Sequence, residues 1–150
     1  MISNLHQIQQ RHRAFVQAHE RMVDAVLREA GETGLSYSRS NPGYTHRTGA
    51  LGKASKYEVK GGPKAKTLRL LNRKRYAAPI DKGARPHRIT ARRKPLLRFF
   101  WAKQGRWFSG KSVNHPGNRA YRFLWRGHMK AYRHAGLRLK QRMRALAVKW

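Results

Sequence analysis

Eight histidines and six carboxylates are the residues of this chain with catalytic or metal-binding chemistry to offer, and cysteine is absent. His6 and His12 lie six positions apart, His12 and His19 seven, and His128 and His134 six. None of these pairs has the i, i+4 spacing that sets two imidazoles on one helical face around a shared zinc ion. Without thiols there is no disulfide framework, thiolate nucleophile, zinc ribbon or iron–sulfur cluster. A Ser-His-Asp arrangement needs an acid to orient its base, and past residue 32 the only acids are Glu58 and Asp81. His87 and His115 sit among bases that would hold a phosphate, but no supporting spacing marks a nuclease. The expectation is a protein without catalysis, metal or cofactor.

What the chain has in excess is positive charge. Its 150 residues carry 35 Lys and Arg against 6 Asp and Glu, a formal net charge of +29, although 27% charged and 39% hydrophobic residues are ordinary values. Residues 1–32 balance Glu20, Asp24, Glu29 and Glu32 against Arg11, Arg13, Arg21 and Arg28, so the whole excess lies beyond them. A self-repelling surface of this kind favours an anionic partner, nucleic acid first, over a basic surface that serves solubility alone. The candidate contacts are Arg73-Lys74-Arg75, Arg92-Arg93-Lys94, Arg126 and Arg133. Phe99, Phe100, Trp101, Trp107 and Phe108 beside Arg98 and Arg106 have the composition of a base-stacking surface. Strands apolar on both faces more often make core and subunit interface, and that reading is preferred.

The length suits one domain spanning 1–150, and fifteen aromatics supply apolar volume for a core. No apolar run approaches the roughly 18 residues of a membrane span, and MISNLHQIQQRHR has no apolar stretch before its charges. A soluble protein that no cleaved signal exports is expected.

The elements that must position these residues follow from periodicity. Leu5, Ile8, His12, Phe15, His19, Met22, Val26 and Ala30 recur at three- and four-residue steps, which predicts a helix over 1–31, with Ser3 or Asn4 as its cap and Gly31 as its stop. Along its polar side Arg21 is expected to pair with Glu20 or Asp24, and Arg28 with Asp24 or Glu32. Residues 33–53, rich in Gly, Ser and Thr, read as a loop. Residues 54–60 alternate, and Gly61-Gly62-Pro63 turns them toward 66–71 as a hairpin. Residues 76–83 form a short turn or helix. Residues 96–101 and 106–113 make a second strand pair, buried on one face. His115-Pro116-Gly117-Asn118 breaks that pattern, with the His115 ring packed or bonded locally, and a final helix covers 118–149. The fold class is α+β: a small antiparallel sheet of about four strands, within 54–113, packed by a long N-terminal and a long C-terminal helix.

Several segments, in order, resemble the small neck proteins of long-tailed bacteriophages, the head-tail joining or tail-completion proteins of the lambda minor-tail type. They are Arg47-Thr48-Gly49-Ala50-Leu51, then Tyr76-Ala77-Ala78 with Ile80-Asp81-Lys82-Gly83, then Ile89 and the stretch Lys94 to Phe99. Val113-Asn114-His115-Pro116-Gly117 and Tyr121-Arg122-Phe123-Leu124 complete the set. The family pattern is an Arg-Thr-Gly-x-Leu turn, a Tyr-Ala-x-x-Val-Glu-x-Gly motif, a strand pair, a His-Pro-Gly turn and a Phe-Leu helix start, with Asp81 here in the place of the usual Glu. The resemblance spans roughly residues 47–124.

It implies a virion protein made in the host bacterial cytoplasm and built into the neck, where copies of an α+β subunit, six in number, form a ring between portal and tail tube. Double-stranded DNA would pass through its channel without base readout, and neighbouring portal, connector or tail proteins would be its partners, with no membrane involved. Arg47, Gly49, Tyr76, Asp81, Gly83, His115, Pro116, Gly117 and Phe123 become scaffold residues, with Asp81 free to pair with Lys82 or Arg85. The strand pairs and first helix would form core and ring interface, while 33–50 and 84–95 reach neighbouring rings. The other reading is a nonspecific nucleic-acid-binding protein of ribosomal or nucleoid type.

Overall fold

The computed structural model describes residues 2–45, 48–101 and 104–149, with side chains from residue 4 onward. Helix α1 spans Ile2–Ser40, a short α2 spans Ala50–Ala54, and β1 (Ser55–Gly61) and β2 (Lys66–Asn72) form the first hairpin. Then come α3 (Ala77–Lys82), β3 (His87–Thr90), β4 (Leu97–Trp101), β5 (Arg106–Gly110), β6 (Ser112–His115) and α4 (Phe123–Lys149). The chain is mixed helix and strand, with a long helix toward each end, as its sequence predicts.

Gly31 does not stop the first helix, which runs nine residues beyond it. The reason is tertiary. The Tyr57 ring of β1 covers Gly31 where a side chain would stand, and Gly34 faces the Gly127 carbonyl and the Ala131 methyl of α4. Ala30, Gly34 and Ser38 on α1 meet Gly127, Ala131 and Ala135 on α4, two small-residue stripes at i, i+4 spacing. They bring the two backbones together antiparallel, and the packing outweighs roughly 1 kcal/mol of helix propensity lost at each glycine. The expected loop over 33–53 is thereby reduced to a few residues between α1 and α2.

The strands form three separate antiparallel pairs, β1–β2, β3–β6 and β4–β5, and not one sheet of about four. The expected first hairpin is present, with Tyr57 opposite Leu70. It does not extend because its outer edge is occupied: the Leu70 amide donates to His128 Nε2 at 3.0 Å, a bond a further strand would need. His128 Nδ1 lies 3.0 Å from the Leu124 carbonyl, so a neutral imidazole joins α4 to β2.

Two small cores result. Val26, Ala30, Leu70, Ala131 and Ala135 are buried between α1, β2 and α4. Leu51, Ala77 and Phe123 are buried between α2, α3 and the start of α4, and Leu124 packs against both clusters. Outside them little is covered. The β4–β5 pair, expected to be buried on one face, leaves Phe99, Phe100 and Trp107 exposed, Trp107 at 67%. It is aromatic on both sides, with Phe99, Trp101 and Phe108 on one and Phe100 and Trp107 on the other, and the Phe100–Trp107 side is left to solvent. The chain exposes 12050 Å², whereas a compact monomer of this mass exposes about 7,900 Å².

Candidate functional site

Four of the motif segments meet at one joint, where α2, α3 and the turn after β6 surround the start of α4, while Ile89 and the stretch Lys94 to Phe99 lie apart from it on β3 and on the way into β4. Gly49 opens α2 with φ 67, a conformation that favours glycine, and places Leu51 in the second core. Tyr76 precedes α3, half exposed, and Ala77 is buried below it. At the end of α3, Asp81 Oδ1 accepts the Leu124 amide at 2.8 Å, while its carbonyl accepts the Arg122 amide at 2.9 Å and the Ile80 carbonyl accepts that of Tyr121 at 3.1 Å. One short helix thus holds the entry to α4 by two bonds and its first turn by a third, and the Asp81 carboxylate satisfies an amide that α4 itself leaves without a partner. Asp81 forms no ion pair with Lys82 or Arg85. The expected pairing is replaced by a capping role for α4, because the Leu124 amide lies directly in front of the carboxylate.

Other motif residues close the same joint. Ala84 and Asn118 exchange backbone bonds of 3.0 and 2.9 Å, and the Asn118 side chain donates to the Pro79 carbonyl at 3.0 Å. Gly117, at φ 79, passes so close to the Ala84 carbonyl that a side chain has no room. His115 Nδ1 accepts the Gly117 amide at 3.0 Å, the local bond expected of this turn, and Pro116 lies exposed within it. Gly83, at φ 86, faces the backbone of Asn118 and Ala120. Phe123, 1% exposed, meets Tyr44 edge-on at 5.3 Å, and burial, with Tyr76 adding to it, raises the Tyr44 phenol above its ordinary pKa. Beside the joint a groove of about 560 Å³ is lined by Tyr44, Thr48, Tyr76, Ile80, His115 and Asn118. Arg47 lies outside the described residues.

The basic candidates fall on separate elements. Arg92, Arg93 and Lys94 are exposed on the loop between β3 and β4. Arg73, Lys74 and Arg75 follow β2, and Arg73 is paired with Glu58 at 3.3 Å. Arg133 is exposed on α4. Arg126 is a different case: half-buried, it donates from Nη2 to the Tyr121 carbonyl at 3.1 Å and lies against Gly43. Its geometry makes it a brace of the joint.

Acids are too few to neutralise the rest. Asp24 binds Arg28 and Lys66, and Glu58 binds Lys60 and Arg73; these partners, Arg28 first for Asp24 and Lys60 first for Glu58, hold both carboxyls below the usual range. Arg28 takes the first of its two expected acids, while Arg21 turns to the Gln17 carbonyl. Glu29 receives His134 at 3.1 Å, Arg138 at 3.0 Å and Arg142 at 2.8 Å. Burial opposes its ionisation, but the His134 hydrogen bond and the two guanidinium charges outweigh that and lower its pKa. This clamp between α1 and α4 was not legible in the sequence, where more than a hundred residues separate the partners. The small-residue stripe of α1 is hidden by the loop reading of 33–53, although Ala30, Gly34 and Ser38 repeat the spacing of Gly127, Ala131 and Ala135.

Among the described residues no group of three His, Asp or Glu side chains is placed to hold a metal ion, and no helix is long and apolar enough to cross a membrane. No protein-family model matches the chain, and no curated protein or solved structure does either.

Proposed function

We propose that this chain is a structural subunit of a tailed-phage neck, which forms a ring joining the head connector to the tail and surrounding the DNA path. The observation that carries this reading is the convergence of four of the motif segments. Thr48–Leu51, Tyr76–Gly83, His115–Gly117 and Phe123–Leu124 are scattered in sequence, yet they build one joint that fixes α4. Matches without a common role have no reason to be neighbours in space.

Two further features support it. The exposed surface, about 4,000 Å² beyond that of a compact monomer of this mass, is more than a ring subunit loses to two neighbours at roughly 800 Å² each. The unneutralised bases suit phosphate contacts that need no register, which is what a moving duplex offers. A nonspecific nucleic-acid-binding protein of ribosomal or nucleoid type accounts for the bases as well, and would stack bases on the exposed aromatic hairpin; the convergence of motif segments is what favours the neck. Light scattering on the purified chain separates the two. The neck reading expects a closed oligomer without nucleic acid, alone or with an adjoining portal or tail protein; a chain monomeric at all concentrations in both settings overturns it.

A further inference from the structure

Among the described residues two apolar surfaces stand uncovered, toward opposite ends of α1. The face of α1 that buries Val26 and Ala30 continues uncovered toward the start of the helix, through Leu5, 59% exposed, Ile8, 63% exposed, His12 and Val16. The antiparallel register set by Ser38 with Phe123, Gly34 with Gly127 and Glu29 with Arg138 runs α4 out between about His12 and Ala18, so the first turns of α1 project past its end. At the other end, the β3–β6 pair and the β4–β5 hairpin enclose a groove of about 660 Å³, whose walls include Ile89, Val113, Leu97, Phe99, Phe100 and Trp101. Ser38, bonded to the Phe123 carbonyl at 3.0 Å, marks that end on α1. Leu5 lies 33 residues from it along one helix, about 50 Å away. The two surfaces cannot meet within one chain.

Both places are also free of charge. In a chain of net charge +29, residues 2–10 contain no Lys, Arg, Asp or Glu, and neither does the lining of the groove. The groove beside the joint is uncharged as well, but Thr48, Asn118, His115 and the tyrosines make its lining more polar, and over most of the remaining surface two copies would press bases together at a cost in repulsion and desolvation. The fit is also one of form: a helix with apolar Leu5, Ile8 and Val16 at i, i+3 and i+11 and the His12 ring between them suits an apolar groove. We propose that the projecting turns of α1 insert Leu5 and Ile8 into the β3–β6/β4–β5 groove of a second copy. The contact is head-to-tail, so each copy has one free helix and one free groove, and the interface closes into a ring or propagates as a filament. This proposal rests on the ring reading and names the surfaces that build it.

The test uses two full-length variants, Leu5→Asp/Ile8→Asp on the exposed helix face and Phe100→Asp on the exposed hairpin, each checked by circular dichroism for unchanged helix content. Light scattering is expected to give an oligomer for the wild type and a monomer for each variant, with association weakened at least about 100-fold by placing charge in an apolar contact. Mixed in equal amounts, the two variants are expected to form a heterodimer and nothing larger, since together they hold one intact helix and one intact groove. A wild-type oligomer that either variant leaves intact overturns the docking while the ring stands. Variants that stay monomeric on mixing overturn it too. A wild type that is monomeric, alone and with portal or tail protein, removes both the docking and the ring.

Discussion

Replacing Asp81 tests whether the joint holds α4 as its geometry indicates. Its carboxylate accepts the Leu124 amide at 2.8 Å, within the first turn of a 27-residue helix whose dipole favours negative charge there. Asp81→Ala removes the acceptor and leaves a half-buried amide without a partner. A hydrogen bond to a charged group contributes about 1.5–3 kcal/mol, so a loss of about 2 kcal/mol is expected. For a chain of this size that lowers Tm by about 4–8 °C. Asp81→Asn keeps a carbonyl acceptor and loses only the charge, for about 0.5–1 kcal/mol. Differential scanning fluorimetry at low and high salt measures both, with Lys82→Gln and Arg85→Gln as references. The cap predicts a large Ala effect that salt barely changes, a smaller Asn effect and near-silent references. An Ala effect under about 0.5 kcal/mol, or references as damaging as Asp81→Ala with the difference erased by salt, would refute the reasoning and restore an ion-pair role.

Glu29→Gln is expected to destabilise the chain at neutral pH by releasing His134, Arg138 and Arg142. Because the Glu29 carboxyl ionises below its ordinary value of 4.5, its contribution is complete above that pH and disappears as pH falls through the lower folded value. Urea midpoints of the two proteins should therefore differ at pH 7 and converge in acid; a constant difference contradicts the clamp. Gly127→Ala places a methyl against Ser38, Gly34 and Leu70 and is expected to cost about 2 kcal/mol, whereas Gly136→Ala, with open space around it, should add about 0.5–1 kcal/mol in the same chemical denaturation assay. Equal effects would contradict the close helix crossing. If Arg92, Arg93 and Lys94 contact phosphates, changing all three to Gln should flatten the log–log salt dependence of duplex binding by about 2.7, from 0.9 per contact. An unchanged slope removes the loop from the DNA contact.

Local patterns made much of the fold legible. The alternation over 54–60 with Gly61-Gly62-Pro63 gave the first hairpin, and the His115-Pro116-Gly117 turn stands where its residues require. What sequence periodicity could not reach was decided between distant residues. Gly31 and Gly34 read as helix breakers until Tyr57 and Gly127 are seen to occupy the space their missing side chains leave. The sheet count depended on a His128 bond to the β2 edge, for which no local signal exists. Asp81 was identified as a motif residue, but its partner is an amide 43 positions away, so its role as a cap became visible only in the fold. Arg126 was one base among many in sequence and proved to be a brace. The aromatic run at 99–108 looked like core by composition, and its exposure in the single chain is what points outward to a second copy.

A neck subunit has a fixed place in the particle, and an image of labelled particles shows it. Phage particles that carry this subunit with a dense C-terminal label, viewed by electron microscopy, are predicted to show label only at the head-tail junction, arranged around the DNA path. Label along the capsid, along the tail or at its tip, or a labelled chain that cofractionates with host ribosomes or nucleoid and is absent from particles, would contradict that place.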